Sequence, residues 1–200
     1  MLWQILIATI KEREDQFLKL KEIIEKQIET YSKNNDVGIL FFSDNRQYPV
    51  GMKRNILVKN STAKYLSFVD DDDLISENYV KSIYKAIKEP NIDCVGFKGK
   101  ILSEDAKELN NKIFIHSINY DSYFEKDGIF YRPPNHLNCI KRDYFIQFPF
   151  PFINKGEDTD FAMRLSNSKL LQEEIFIDDI LYFYQFEWSK SATQSLEEHK

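Results

Sequence analysis

The sequence predicts an α/β fold: a single compact domain, residues 1–200, whose mostly parallel sheet is flanked by helices. Across residues 1–102, short apolar runs alternate with charged segments whose apolar residues recur every three or four positions, strand then helix through four strands. The runs are nearly unbroken in hydrophobicity, as strands covered on both faces are. A length of 200 residues suits one domain and permits a sizeable core.

Leu2 to Ala8 is the first strand. Phe17, Leu20, Ile24, Ile28 and Tyr31 then mark one apolar stripe on a helix. Val37 to Phe42 is the second strand, closed by the turn-forming Ser43-Asp44-Asn45. Gly51 to Lys64 reads as the second helix and Tyr65 to Val69 as the third strand. Ser76 reads as the N-cap of a helix carrying Tyr79, Val80, Ile83, Tyr84 and Ile87, which stops before Pro90. Cys94 to Leu102 is the fourth strand. The second half is less regular: strands at Ile113 to Ile118 and Ile129 to Tyr131, a loop from Arg132 to His136, and a short helix from Lys141 to Phe148. A helix then follows Gly156, with strands at Ile175 to Ile177 and Leu181 to Phe186.

A formal net charge of -5 argues against a general nucleic-acid binder, which needs a basic face to displace counterions. Two cysteines, Cys94 and Cys139, make neither a disulfide framework nor a zinc motif, so a reducing cytoplasm is the expected setting. The apolar start is too short to span a bilayer and lacks a basic leader, and no transmembrane segment is expected.

The strongest local signal is Phe68-Val-Asp-Asp-Asp-Asp-Leu74, where an apolar strand delivers four carboxylates to the edge of the sheet. Crowded carboxylates raise one another's pKa, and a divalent cation removes the conflict. On an extended segment Asp70 and Asp72 point the same way and can grip Mg²⁺ or Mn²⁺, leaving other positions for water and phosphate oxygens. The alternative is a solvated acidic turn in which Asp73 caps the next helix. A calcium EF-hand fails on spacing, because Leu74 and Ile75 stand where a ligand and a glycine are needed.

Five segments in order resemble glycosyltransferases of the GT-A fold, specifically family 2. The aspartate block is similar to their DxD region. Ile5-Leu-Ile-Ala-Thr9 with Arg13 resembles the opening strand that touches the nucleotide, and Ser43-Asp44-Asn45 the aspartate on the base. Gly51-Met-Lys-Arg-Asn55 resembles the helix start near the donor, and Gly156-Glu-Asp-Thr-Asp-Phe161 the motif holding the catalytic base.

The resemblance implies a metal-dependent transfer of sugar from a nucleotide-sugar, a UDP-sugar above others, to an unidentified acceptor with inversion. It implies a nucleotide-sugar-binding half, residues 1–102, and an acceptor and catalytic half, residues 103–200. Asp72 is the implied direct ligand of Mn²⁺ or Mg²⁺, with Asp70 on the metal, its water or the ribose. Thr9, Arg13, Asp44, Lys53, Arg54, Asn55, Asp70 and Asp71 are the implied nucleotide-sugar contacts. Asp158 is the implied base, and Glu157 orients the acceptor. Each has a plainer reading: a turn for Asp44, exposed helix charges for Lys53 and Arg54, helix capping for the Glu157-Asp158 pair. His136 is either a contact to acceptor or phosphate or a structural loop histidine. A late histidine common in relatives has no counterpart except His199, leaving Gln185, Glu187 and Trp188 as other sources of that contact. The rival functions are a nucleotidyltransferase, disfavoured because Thr9-Ile-Lys-Glu-Arg13 lacks a glycine-rich phosphate loop, and a non-catalytic nucleotide-sugar binder.

Overall fold

The computed structural model describes residues 1–187. Among the described residues ten strands form one sheet. β1 (Trp3–Ile10) lies between β2 (Val37–Asp44) and β3 (Tyr65–Phe68) and is parallel to both. The connecting helices are α1 (Glu14–Tyr31) and α2 (Val50–Asn60). Here the alternation of apolar runs and helical stripes translates directly into structure. Trp3, Ile5 and Ile7 of β1 face one layer and Leu6 the other, the two-residue period of a strand. On the first face α1 packs with α3 (Tyr79–Ala86) through Phe17, Leu20, Ile24, Val80 and Ile83. On the second, α2 packs with α4 (Arg142–Gln147) and α5 (Glu157–Ser168) through Leu57, Val58, Phe145, Phe161 and Leu165. Each such large apolar side chain contributes about 1.5–3 kcal/mol on burial.

The sheet is mixed where a continued parallel order was expected. β9 (Cys139–Lys141) inserts between β3 and β5 (Cys94–Leu102), antiparallel to both, so β3 and the predicted fourth strand do not touch. β5 is a branch point. It also pairs antiparallel with β6 (Ile113–His116) and parallel with β10 (Glu174–Gln185). β8 (Ile129–Arg132) lies parallel to β6 and forms a hairpin with β7 (Phe124–Lys126). β10 unites the two late strands read separately from sequence. Its pairing with β5 shifts between Ile177 and Ile180 and again before Tyr182, around the exposed Asp178 and Asp179. The two-residue β4 (Leu74–Ile75) pairs antiparallel with β10, tying the aspartate segment to the far end of the chain.

Two helix ends differ from expectation. α2 stops at Asn60 rather than Lys64, and the Ser61 hydroxyl then donates to Gln4 Oε1 at 2.6 Å. Ser76 is not an N-cap. α3 begins after Asn78, and the buried Gln27 amide does the capping: Oε1 accepts from Val80 N–H and Nε2 donates to the Ser76 carbonyl.

Candidate active site

β3 ends at Phe68 because the next residues turn. The Asp73 N–H donates to the Asp70 carbonyl at 3.1 Å, so the aspartates form a turn rather than the extended segment expected. The turn nonetheless sorts them by accessibility. The side chains of Asp70 and Asp72 are 32% and 42% exposed, while Asp71 and Asp73 are buried. Asp73 does not cap α3; it accepts the Tyr182 hydroxyl at 2.7 Å and the Gln185 N–H at 2.8 Å, both from β10. Burial, with the charges of Asp70 and Asp72, pushes its carboxyl well up. Asp71 points back at the end of β1, accepting the Thr9 hydroxyl at 2.7 Å and Arg13 Nη1 at 2.8 Å. The same Arg13 nitrogen lies 2.8 Å from Asp72.

Asp70 and Asp72 differ in electrostatics. Burial drives the Asp70 carboxyl up, but Arg54 and His136 outweigh it and hold it well below the usual range. Burial and the fixed Asp70 charge push Asp72 up to about 6. A divalent cation would relieve that repulsion, and hard oxygen donors suit Mg²⁺ or Mn²⁺. Among the described residues no group of three or more His, Cys, Asp or Glu side chains is placed to hold a metal by itself.

Lys53 and Arg54, adjacent on α2, face different partners. Lys53 is buried and donates to Asp44 Oδ1 at 2.9 Å and to the Thr9 carbonyl at 3.2 Å. Asp44 also accepts the Tyr48 N–H, which makes it a turn-former as well as an ion-pair partner. Arg54 is buried and bridges the two acidic motifs, with Nη2 3.1 Å from Asp70 and 3.3 Å from Glu157. Its guanidinium lies over the rings of Phe68 and Phe150, while Nε and Nη1 have no hydrogen-bond partner among the described residues. The plainer reading of exposed helix charges therefore fails for both residues.

Local sequence explains how the motifs meet. A Cβ on Gly51 would sit 1.9 Å from the Pro151 carbonyl oxygen, so only glycine lets the loop after α4 rest on the start of α2. Asn55 fastens it: its amide donates to the Phe150 carbonyl and accepts the Phe150 N–H. That loop leads to Gly156, whose φ of 75° launches α5. Gly156 is the N-cap of α5, and Glu157 and Asp158 sit in its first turn, where negative charge is favoured. Glu157 is buried, and burial raises its pKa despite Arg54.

His136 completes the arrangement. Nε2 lies 3.3 Å from Asp70; Nδ1 lies 3.9 Å from Asp158, too far for a hydrogen bond, and has no hydrogen-bond partner among the described residues. Two asparagines lock its loop. The Asn138 amide oxygen takes the Asn135 N–H and faces His116 Nδ1, and its nitrogen donates to the Val95 carbonyl. The His136 carbonyl in turn receives the Phe68 N–H, stitching the loop to β3.

Sequence reasoning missed Tyr182, whose hydroxyl accepts the Asp70 N–H while donating to Asp73. Nothing in a tyrosine on a late strand signals this; the link exists only through the pairing of β10 with β4. Gln185, one of the late residues considered, donates its amide to the Asp72 carbonyl. Trp188 and His199 lie outside the described residues.

The family model for glycosyl transferase family 2 matches residues 19–148, about two thirds of the sequence. The chain belongs to glycosyl transferase family 2. Solved structures agree on the fold. Staphylococcus aureus TarS, residues 1–349 in complex with UDP-GlcNAc, superposes with a TM-score of 0.62 at 15% identity, covering 98% of this chain and 61% of that one. The Pyrobaculum calidifontis mannosyltransferase PcManGT, in complex with GDP-Man and Mn²⁺, gives 0.58 at 10% identity, covering 98% and 60%. The catalytic domain of Drosophila β1,4-galactosyltransferase 7 gives 0.51 at 12% identity, covering 87% and 65%. At these identities the likeness is one of fold, and it makes the domain a GT-A-like α/β domain. The family 2 chain spans less than two thirds of each of these structures. No curated protein matches it.

Proposed function

We propose that this family 2 chain is a metal-dependent glycosyltransferase that moves a sugar from a UDP-sugar to an acceptor hydroxyl with inversion. One observation carries the reading: Arg54 and His136 join the aspartate turn to the Glu157-Asp158 motif, so a donor-side and an acceptor-side acidic group share one site. The ligands of TarS and PcManGT, a UDP-sugar in one and a GDP-sugar with Mn²⁺ in the other, support the donor class. Residues 1–102 supply the donor side and residues 103–200 the catalytic side. The buried free thiols Cys94 and Cys139 suit a reducing cytoplasm.

In this reading Thr9, Arg13, Asp44, Lys53 and Asp71 shape the nucleoside pocket at the ends of β1 and β2. Asn55 acts by positioning Phe150. Asp72, with Asp70, would hold Mn²⁺ or Mg²⁺, an ion usually held by one or two carboxylates and completed by phosphate oxygens. When bound, the ion supplies positive charge against the departing diphosphate. The unpaired N–H groups of Arg54 and the unpaired nitrogen of His136 are buried polar atoms that substrate oxygens can satisfy. Asp158 takes the acceptor hydroxyl proton as that oxygen bonds the anomeric carbon, whose bond to the diphosphate oxygen breaks on the opposite face. The nucleoside diphosphate leaves and the anomeric centre inverts.

The test is Asp158→Asn, assayed for sugar transfer and for donor binding. Loss of a base lowers turnover by about 10²–10⁴-fold while nucleotide affinity stays unchanged. Undiminished turnover would remove Asp158 as the base. An unmodified chain that binds UDP-sugar yet neither transfers nor hydrolyses it would be a binder rather than an enzyme.

A further inference from the structure

The aspartate turn is held from behind by β10. Tyr182 lies 112 residues beyond Asp70, yet its hydroxyl accepts the Asp70 N–H at 3.1 Å, at the start of the turn. At the end of the turn the Asp72 carbonyl accepts the Gln185 side-chain amide. The buried Asp73 carboxylate braces both, receiving the Tyr182 hydroxyl at 2.7 Å and the Gln185 N–H at 2.8 Å. The chain then enters β4, where Ile75 sits opposite Tyr182 and Leu74 opposite Phe183. These four hydrogen bonds go to backbone atoms or to Asp73. None of them uses the carboxylates of Asp70 and Asp72, the more exposed pair.

Tyr182 reaches the turn because β10 is irregular. From Ile177 to Tyr182, β10 advances five residues while β5 beside it advances two, from Phe97 to Gly99. In a regular strand, residues five apart point to opposite faces. Here Ile177 and Tyr182 both pack into the core on the α1 side of the sheet. Extra residues of this kind bend a strand and re-aim a side chain, and they recur beside active sites. The Tyr182 ring is fully buried, and a phenylalanine would fill the same space. What the hydroxyl adds is the pair of bonds to the turn.

We infer that Tyr182 is a positioning residue for the divalent cation: with Gln185 it fixes the backbone on either side of Asp70 and Asp72, so that the two carboxylates keep their spacing before an ion arrives. The inference rests on the metal-dependent glycosyltransferase reading and adds to it a residue that touches neither ion nor sugar. Removing the hydroxyl leaves the Asp70 N–H without its acceptor and the buried Asp73 without one of its donors. The turn can then rearrange, and an ion must gather its ligands as it binds. Residues that hold metal ligands from behind are typically worth about 10–100-fold in metal affinity.

The test is the affinity of the full chain for Mn²⁺ at saturating UDP, read from the water-proton relaxation rate, which rises when the ion is held on a macromolecule. Tyr182→Phe is expected to weaken Mn²⁺ binding about tenfold or more. The EPR lines of the ion that does bind are expected to broaden, because its ligands no longer hold one arrangement. Tyr79→Phe is the control: it removes the hydroxyl of another fully buried tyrosine, one bonded to Ser67 rather than to the turn, and is expected to leave affinity and line shape as in the wild type. If Tyr182→Phe fails to fold, Gln185→Ala decides, since Gln185 is exposed and its loss is expected to weaken Mn²⁺ in the same direction. Unchanged Mn²⁺ affinity in the deciding variant overturns the assignment, as does an equal loss in Tyr79→Phe. The wild type separates the two failures: if it holds Mn²⁺ and the variants match it, the positioning role alone is wrong; if it holds none, the metal-dependent reading fails and takes this role with it.

Discussion

At the scale of single residues, Arg54 organises the site. It is a buried cation whose charge is matched by carboxylates from two distant segments, Asp70 and Glu157. Removing one partner from such a group leaves uncompensated charge in a poorly solvated place. Arg54→Met is therefore expected to lower stability by about 3–5 kcal/mol, read from urea unfolding midpoints, and to abolish transfer. A loss below about 1 kcal/mol would mean that the bridge is slack in solution. Sequence marked Lys53 and Arg54 as neighbours near a donor but not that they serve different partners. One helical step rotates a side chain by about 100°, so adjacent residues address different walls. Lys53 reaches Asp44 at the end of β2, and Arg54 reaches Asp70 beyond β3. His136 was legible only as an alternative, since its meaning comes from an asparagine-locked loop lying across the end of β3.

At the scale of elements, the start of α2 determines how the two acidic motifs face each other. Gly51 touches the Pro151 backbone, and a Cβ there would also come within 3.3 Å of Glu157 Cβ. Gly51→Ala forces that loop away and is expected to cost about 1–3 kcal/mol, with a further loss of transfer as Glu157 moves from Arg54. Calorimetry on the variant checks this, and an unchanged melting temperature would show that the loop yields freely. The elements legible in sequence were β1, α1, β2, α2, β3, α3 and β5 in the first half, and β6, β8, α4 and α5 in the second. Those missed are short or defined by partners. β9 has three residues and β4 two, too few for alternation to register. The unity of β10 is concealed by its irregular pairing around Asp178 and Asp179. The parallel order expected next to β3 fails because β9 returns from the second half of the chain to fill that place, a long-range pairing that local pattern does not encode.

At the scale of the whole molecule, the branching of the sheet at β5 carries its own pH dependence. His116, at the end of β6, is fully buried between Phe97 and Phe114 and meets Asn138. Burial, with the nearby Arg132 charge, depresses its pKa from 6.5 to about 3. The folded state thus favours the neutral ring. The corresponding stability is complete above pH 6.5 and is lost as pH falls toward about 3. His116→Gln is expected to flatten the fall in unfolding free energy between pH 7 and pH 4; an unchanged slope would show that the ring titrates normally. The resemblance read from five motifs in order specified family and fold, because that order is a property of the entire chain. It did not specify contacts, which arise from how the sheet closes. The most direct measurement of the central claim is the melting temperature of the chain with UDP, with and without Mn²⁺, beside that of Asp72→Ala. With UDP at about a hundred times its Kd, the wild type is expected to gain about 2.7 kcal/mol, a rise of about 5–10 °C, only when Mn²⁺ is present. Asp72→Ala is expected to show no rise. A shift of equal size without metal, or one that survives in Asp72→Ala, would contradict the account.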